Sequence, residues 1–363
     1  MSPLQGQGEL IINSRLTYSC SYGKGGFLVC SFLIMATMKR TYQTGETYME
    51  LKPVFPFEPI STETIPTSDD WVAQIKWDGV RMLTYFDGND VRLVNRRCND
   101  RTKQYPELLA IKTYCSASSV ILDGEIIAFD QKKPAFHEIM KRESLRKSQS
   151  IDRAVTQTPI TYMIFDILMY NDKWVVDKPL AERQKILQDV ITPLPQFQIT
   201  QNIADGNKLF DVMKEHGMEG VVCKDLKSTY AIGGKDGRWV KKKIFRDLFA
   251  VIGGVTTRAG VVNAILLGLY DKDGRFIYIG HAGTGKLSKE DWRQLTKIVE
   301  PMTTPHKPFI NEPERSKEAI WIQPKLTAKI QFLEWTPHGT MRHPSIQAFV
   351  QMDLADCTFS QNM

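Results

Sequence analysis

The chain has 363 residues, 42% of them apolar and 24% charged, with a formal net charge of +6. That balance belongs to a soluble globular protein of one large or two ordinary domains and excludes bulk disorder; the mild positive charge permits a polyanionic partner without demanding one. The six cysteines (Cys20, Cys30, Cys98, Cys115, Cys223, Cys357) form no CxxC pair, which excludes the usual zinc-ribbon spacing and a disulfide framework and leaves reduced cytosolic thiols as the plain expectation.

Residues 1–45 read as an appendage. Residues 27–36, FLVCSFLIMA, are too few to span a bilayer as a helix. They resemble the core of a signal peptide, but a disordered tail, or a start at Met35 or Met38, is favoured over export, and no membrane partner is expected. Pro53, Pro56, Pro59 and Pro66 then punctuate an extended entry. Residues 71–76 read as a strand. Residues 80–86 and 91–95 are β-rich runs joined by Asp87-Gly88-Asn89-Asp90, a strong hairpin signal. The apolar runs 120–122 and 126–129 flank Asp123-Gly124-Glu125. A basic stretch follows, in which Lys132, Lys133, Lys141, Arg142, Arg146, Lys147 and Arg153 outnumber Glu138, Glu143 and Asp152; a surface for DNA phosphates and an ordinary solvated helix both explain it.

Residues 162–168 suit a buried strand. Leu209, Val212 and Met213 have helical spacing, with Gly217 placed to end the helix. A strand at 221–224, a glycine-rich loop at Gly233-Gly234 and a strand at 239–244 follow. From Leu248 the texture changes to short strands, at 249–253, 264–270, 276–281 and 328–335. They are interrupted by one helix with a capping box, Ser288 and Asp291, and an apolar face of Trp292, Leu295 and Val299. About five short strands with one inserted helix suit a small β-barrel of the OB type. The expected boundary lies near 246, giving units at 46–246 and 247–363 in an α+β chain.

The best local signal for chemistry is Lys76-Trp77-Asp78-Gly79-Val80-Arg81. A lysine at a strand end beside a glycine turn is presented to a ligand, and it becomes a nucleophile when burial or cationic neighbours favour its neutral form. Arg81 is such a neighbour and is also able to hold a phosphate. Downstream come Asp123-Gly124-Glu125, Phe165-Asp166, the run from Glu219 to Lys224, and Trp239-Val240-Lys241-Lys242-Lys243. Lys241 and Lys243, two apart on a strand, share a face and suit a triphosphate. Glu125 and Glu219 suit a Mg²⁺ ion and a ribose. Phe165 is by default a core residue and alternatively a ring on which a base stacks. Taken singly each has a plainer reading: DGE as a hairpin, KKK as a solvated face.

The order KxDGxR, DGE, F-D, EGxxxK, WxKxK resembles the covalent nucleotidyltransferases, that is, ATP-dependent DNA ligases, RNA ligases and mRNA-capping guanylyltransferases. The likeness spans residues 52–352. Glu334-Trp335-Thr336-Pro337-His338-Gly339-Thr340-Met341-Arg342-His343-Pro344 resembles the last motif of DNA ligases that carry an OB domain, particularly the compact bacterial and phage-type enzymes. Residues 279–285, IGHAGTG, resemble their GTG loop.

The resemblance implies an adenylation (nucleotidyltransferase) domain of antiparallel sheets with flanking helices, followed by an OB-fold barrel. It implies that Lys76 carries AMP, with Ile75 beside the nucleotide, and that Arg81 and Arg96 contact AMP or a nick phosphate. Glu125 would meet ribose or metal, Glu219 metal, and Phe165 adenine. Lys241 and Lys243 would meet phosphates, Lys241 the α-phosphate, and Arg342 would orient the leaving pyrophosphate. ATP and Mg²⁺ are the implied cosubstrate and cofactor, nicked duplex DNA the partner, a monomer the state, and the cytoplasm or nucleoid the place. On this reading Arg142, Arg146 and Lys147 are candidates for DNA phosphates.

An RNA ligase, a GTP-using capping enzyme and an inactive nucleic-acid-binding module are the rivals. The EWTPHGTMRHP text favours DNA, and the intact lysines and carboxylates oppose the inactive module. One departure stands out: the usual SRxG reads Asn95-Arg96-Arg97-Cys98. Cysteine strains a turn that needs positive φ, so this loop is expected to differ. The chain shows no text of the N-terminal DNA-binding domain of larger ligases, and none of the zinc-finger or helix-hairpin-helix text of the NAD-dependent class.

Overall fold

A computed structural model describes residues 38–41, 47–130, 133–283 and 285–361. Most of the segment read as an appendage, together with Lys132, the Lys133 side chain and Thr284, lies outside the described residues.

Two sheets form the first unit. One is antiparallel in the order Lys173–Trp174, Ile160–Tyr170, Val120–Asp130, Val80–Phe86, Val91–Asn95, with Phe197–Ile199 added in parallel on Ile160–Tyr170. The other runs Glu58–Ser61, Lys235–Lys243, Gly220–Asp225, Trp71–Ile75, parallel only at its first pair. Buried Phe57, Leu83, Tyr85, Val94, Ile121, Leu168 and Trp239 form a core joining the two sheets. The hairpin forms as the sequence predicts: Phe86 pairs with Val91, and Asp87 Oδ1 accepts from the N–H of Asn89 and Asp90 at 2.9 and 2.8 Å.

The DGE text is no hairpin. It lies inside the single strand Val120–Asp130, at a register shift between Asp123 and Gly124. Gly124 is there for close approach, since a Cβ would stand 2.5 Å from the Tyr162 ring. Helix α1 spans Phe136–Ser144, α2 Ser148–Gln157, α3 Leu180–Val190 and α4 Gly206–Glu215. In α4 the inward residues are Leu209, Phe210 and Met213, and Val212 faces out. Asp205 caps the helix by accepting from Lys208 N–H at 2.9 Å, and Gly217 follows its end at φ +64°.

The second sheet system is antiparallel throughout: Phe276–Ala282, Val261–Tyr270, Arg246–Arg258, Ile320–Phe332, Ser345–Val350. A bridge between Gly285 and Ile346, with Lys286 N–H donating to the Ile346 carbonyl at 2.8 Å, joins its two edges. The result is the OB-type barrel of the expected α+β architecture. Three strands, Arg246–Arg258, Val261–Tyr270 and Ile320–Phe332, begin earlier than their apolar runs, and Ser345–Val350 is a further strand with no such signal. Gly253-Gly254 breaks the pattern of the strand Arg246–Arg258, where a Cβ on Gly253 would meet Phe309 at 2.5 Å. Helix α5, Lys289–Val299, carries the expected capping box, with Leu295 and Val299 buried and Trp292 partly buried. Among the described residues no helix is long and apolar enough to cross a membrane.

The basic stretch needs a correction. Arg142 is 1% exposed. Its guanidinium grips Glu107 with two bonds, at 2.8 and 3.1 Å, and donates to the carbonyls of Gln104, Ala154 and Thr158. It therefore leaves the set of candidate DNA contacts. Arg146 and Lys147 are exposed, although Arg146 also donates to the carbonyls of Glu143 and Leu145. Arg142→Ala strands a recessed carboxylate and three carbonyls, so urea denaturation should show a loss of about 3–5 kcal/mol. Arg146→Ala should cost less than about 1 kcal/mol. Equal midpoints for Arg142→Ala and the parent would refute the buried role.

Candidate active site

Lys76 follows the strand Trp71–Ile75, and its N–H donates to the Gly220 carbonyl at 3.0 Å. Residues 76–79 then carry the chain from one sheet to the other. Gly79 makes that crossing possible, because a Cβ there would stand 2.1 Å from the Ile126 carbonyl oxygen. The lysine is thus delivered to the cleft between the sheets, into a cavity of about 640 Å³.

Ile75, Lys76, Arg81, Arg96, Glu125, Phe165, Glu219, Lys241 and Arg342 all line this cavity. Lys243 stands behind Glu219, and Arg142, Arg146 and Lys147 lie away from the lining. A second cleft of about 700 Å³ shares Lys76, Asp78, Glu219 and Arg342 with the first, so the lysine stands at the junction of two openings.

Glu219 is the electrostatic hub. Its Oε2 lies 2.5 Å from Lys76 Nζ and its Oε1 2.8 Å from Lys243 Nζ. Burial alone would raise this carboxyl; the Lys76 and Lys243 ammonium groups outweigh it and hold it below the usual range. Burial also lowers Lys241, and repulsion from Lys76 and Lys243 adds to the effect. Glu125 goes the other way: burial pushes it up to about 8 against the pull of Lys76 and Arg81. Two carboxylates and several cations thus share one recess that favours a polyphosphate.

Arg81 is less free than its motif suggests. Its Nε and Nη2 donate to the two oxygens of buried Asp123 at 2.8 and 2.6 Å, and Tyr230 Oη donates to the same carboxylate at 2.7 Å. Its guanidinium lies 5.0 Å from the centre of the Phe165 ring. Beneath, Asp166 holds fully buried Arg183 through two bonds at 2.8 and 2.9 Å. The two ion pairs fix the strands that present Phe165.

The sequence reading gave no role to Lys224, the last residue of EGxxxK. It is 2% exposed. Its Nζ sits 3.9 Å from the Trp239 ring centre and 4.2 Å from that of Phe165. Burial drives its pKa from the usual 10.5 down to about 7 against the pull of Asp166. Between those values the unfolded chain holds the proton more than the folded one does, so this group adds stability as pH rises from about 7 toward 10.5 and adds none below. Lys224→Met, which has no ammonium to bury, should therefore gain most over the parent below about pH 7 and lose that advantage steadily as pH rises toward about 10.5. Thermal melts of the nucleotide-free protein read the gap, and a gap independent of pH would contradict the assignment.

Arg342 arrives from the barrel side, ahead of His343 at φ +51°. Its guanidinium forms an ion pair with Asp78, donates to Glu334 Oε1 at 2.8 Å, and lies 3.7 Å from the Phe136 ring centre. Asp78 and Glu334 both lie inside the sequence motifs, but their spacing does not announce them as partners of Arg342. The loop at Cys98 corrects another expectation. Cys98 adopts φ +58°, the left-handed turn itself, so the geometry a glycine would favour persists with cysteine in place.

Among the described residues no group of three or more His, Cys, Asp or Glu side chains is placed to hold a metal ion. Mg²⁺ commonly takes one or two carboxylates and completes its shell with substrate phosphates and water. Glu125 and Glu219 both line the cavity and supply that number of carboxylates, without a cage made by protein alone.

Comparison with known proteins bears on this geometry. The ATP dependent DNA ligase domain matches residues 56–243, just over half of the chain, and the ATP dependent DNA ligase C terminal region matches residues 258–351. The multifunctional non-homologous end joining protein LigD of Mycobacterium bovis is 29% identical over 285 residues, covering 77% of this chain and 36% of that protein. DNA ligase 2 of Methanosarcina mazei is 30% identical over 277 residues, covering 71% of this chain and 47% of its own length. The chain thus spans about a third to a half of the length of these curated relatives. A solved Lig E DNA ligase shares the fold at a TM-score of 0.53 and 17% identity, covering 81% of this chain and 99% of that one.

Proposed function

Because the chain belongs to the ATP-dependent DNA ligase family, we propose that it seals nicks in duplex DNA through an AMP held covalently on Lys76, with ATP as cosubstrate. The observation that carries this reading is the place of Lys76 Nζ, at the mouth of the sheet cleft between Glu219 and the Arg342–Asp78 pair.

In the first step Lys76 gives up its ammonium proton to solvent, its nitrogen lone pair attacks the α-phosphorus, a P–N bond forms, and the P–O bond to pyrophosphate breaks with the electron pair leaving on pyrophosphate. Glu219, held ionised by two ammonium groups, orients Lys76 and Lys243. Lys241 and Lys243 offer charge to the phosphates, and Arg342 offers it to the leaving pyrophosphate. Phe165 supplies a face for adenine, with Arg81 bracing the ring from Asp123. Glu125 and Glu219 would hold Mg²⁺, which supplies charge neutralisation at the phosphates. AMP next passes to the 5′-phosphate of the nick, where Arg96 lines the cavity. The 3′-hydroxyl then attacks that phosphate and AMP departs. Each displacement is in line at phosphorus, so positioning and charge do most of the work.

In this reading residues 46–246 form the adenylation unit and 247–363 the OB unit. Exposed Arg146 and Lys147 add phosphate contacts, and one chain suffices. The test is joining on a panel of nicked DNA, nicked RNA and hybrid duplexes with ATP or GTP. Sealing of nicked DNA with ATP is expected. Preference for RNA would make the chain an RNA ligase, use of GTP a capping-type enzyme, and no turnover a binding module; each of these overturns the proposal.

A further inference from the structure

The cavity is longer than its nucleotide end. Beyond Lys76 it continues along the turn Asn95–Arg101, where Asn95, Arg96, Arg97, Asn99 and Arg101 line it opposite α1. The turn is organised from within: Asn95 Oδ1 accepts from the N–H of Arg97 and of Asn99, each at 3.0 Å, and Cys98 sits at φ +58°. Backbone bonds tie the turn to the preceding strand, through Arg101 N–H to the Leu93 carbonyl at 2.8 Å and a Val94–Asp100 bridge; its side-chain tie to α1 is one carboxylate.

Glu143 Oε1 receives Arg101 Nε at 2.5 Å and Asn95 Nδ2 at 3.5 Å, from the two ends of the turn. Its Oε2 receives the hydroxyl of buried Tyr105 at 3.0 Å. The next residue back on α1, Arg142, ties the same helix to Glu107. Two successive inward charges therefore lock α1 to the segment that follows the turn. Glu143 is an acid lining a cavity otherwise suited to phosphates, yet both its oxygens are engaged, so it does not repel an incoming anion as a free carboxylate would. It neutralises Arg101 and leaves Arg96 and Arg97 to face a ligand. Among the described residues Arg96 meets only the Glu58 carboxylate, at 3.4 Å on an exposed edge, a pair of little worth.

We propose that Glu143 is a positioning residue: by clamping both ends of the Asn95–Arg101 turn it aims Arg96 and Arg97 at the terminal phosphate of the strand to be joined, and so sets the preference for a phosphorylated 5′ end. The inference rests on the ligase reading above. It differs from a purely structural brace in what it predicts, because a brace lowers stability without changing which end is chosen.

The test uses the full chain loaded with AMP, in chelator to prevent turnover. Affinity is measured for a nicked duplex bearing a 5′-phosphate and for the same duplex bearing a 5′-hydroxyl. The parent should prefer the phosphate. Glu143→Gln, which keeps the shape and loses the charge, should cut that preference by about tenfold. Its loss in transfer of AMP to the 5′-phosphate should exceed its loss in capturing AMP from ATP by a similar factor. Arg101→Lys, which keeps the charge but not the reach of the guanidinium, is the second probe and must lower the same ratio, should Glu143→Gln fold poorly by thermal melting. An unchanged phosphate-to-hydroxyl ratio in the folded variants overturns the role of Glu143 alone. A parent that captures no AMP, or binds both ends equally, overturns the ligase reading and this inference together.

Discussion

Replacing Lys76 with alanine should reduce AMP capture from ATP by at least about a thousandfold, the scale seen when a covalent nucleophile is removed. Lys224, Lys241 and Lys243, the other amines beside the site, project from strands rather than from the crossover into the cavity, so none is expected to take over. Joining that starts from ATP should fail with it. Joining of a nick that already carries AMP on its 5′-phosphate bypasses the first step, so there the loss should be far smaller. Both readouts come from one gel assay with ATP labelled on the α-phosphate. Label retained on Lys76→Ala would move the nucleophile elsewhere.

Arg342→Ala should slow AMP capture by about 10²–10³-fold, the effect of losing donors aimed at developing charge, and should slow closure of a pre-adenylated nick much less. The reason is geometric. Arg342 comes from the barrel unit, meets Asp78 beside the nucleophile, and is flanked by Glu334 and the Phe136 ring. With Asp78 and Glu334 already paired to it, the arginine is held in the cleft, and the β- and γ-phosphates of ATP must draw it from two carboxylates. Equal damage to both steps would mark Arg342 as a structural tie between the units.

What the sequence made legible was local. The Asp87–Asp90 turn, the Ser288 cap and the lysine crossover ending at Gly79 each depend on residues a few positions apart, where spacing and turn chemistry decide the outcome. All the motif residues proposed to meet the nucleotide except Lys243 gathered in one cavity, because their strands and the crossover at 76–79 face the same cleft.

What it hid depended on distant partners. Arg142 reads as one more surface cation until Glu107, 35 positions away, is brought beneath it. Glu143 looked like a minor acid in a basic stretch and proves to hold Arg101, 42 positions earlier. Arg342 and Asp78 are 264 positions apart, a pairing no local pattern announces. Cys98 misled in the opposite direction. Its side chain argued against a left-handed turn, but the Asn95 side chain and the flanking hydrogen bonds impose that turn on it. In the strand Val120–Asp130, glycine signalled a turn where it serves close packing on Tyr162.

The most direct test of the central claim is the mass of the protein after incubation with ATP and Mg²⁺, followed by peptide mapping of the adduct. A gain of one AMP, confined to the peptide containing Lys76 and matched by release of one pyrophosphate, is the predicted result. No adduct, or an AMP mapped to Lys241, Lys243 or any other residue, would contradict it.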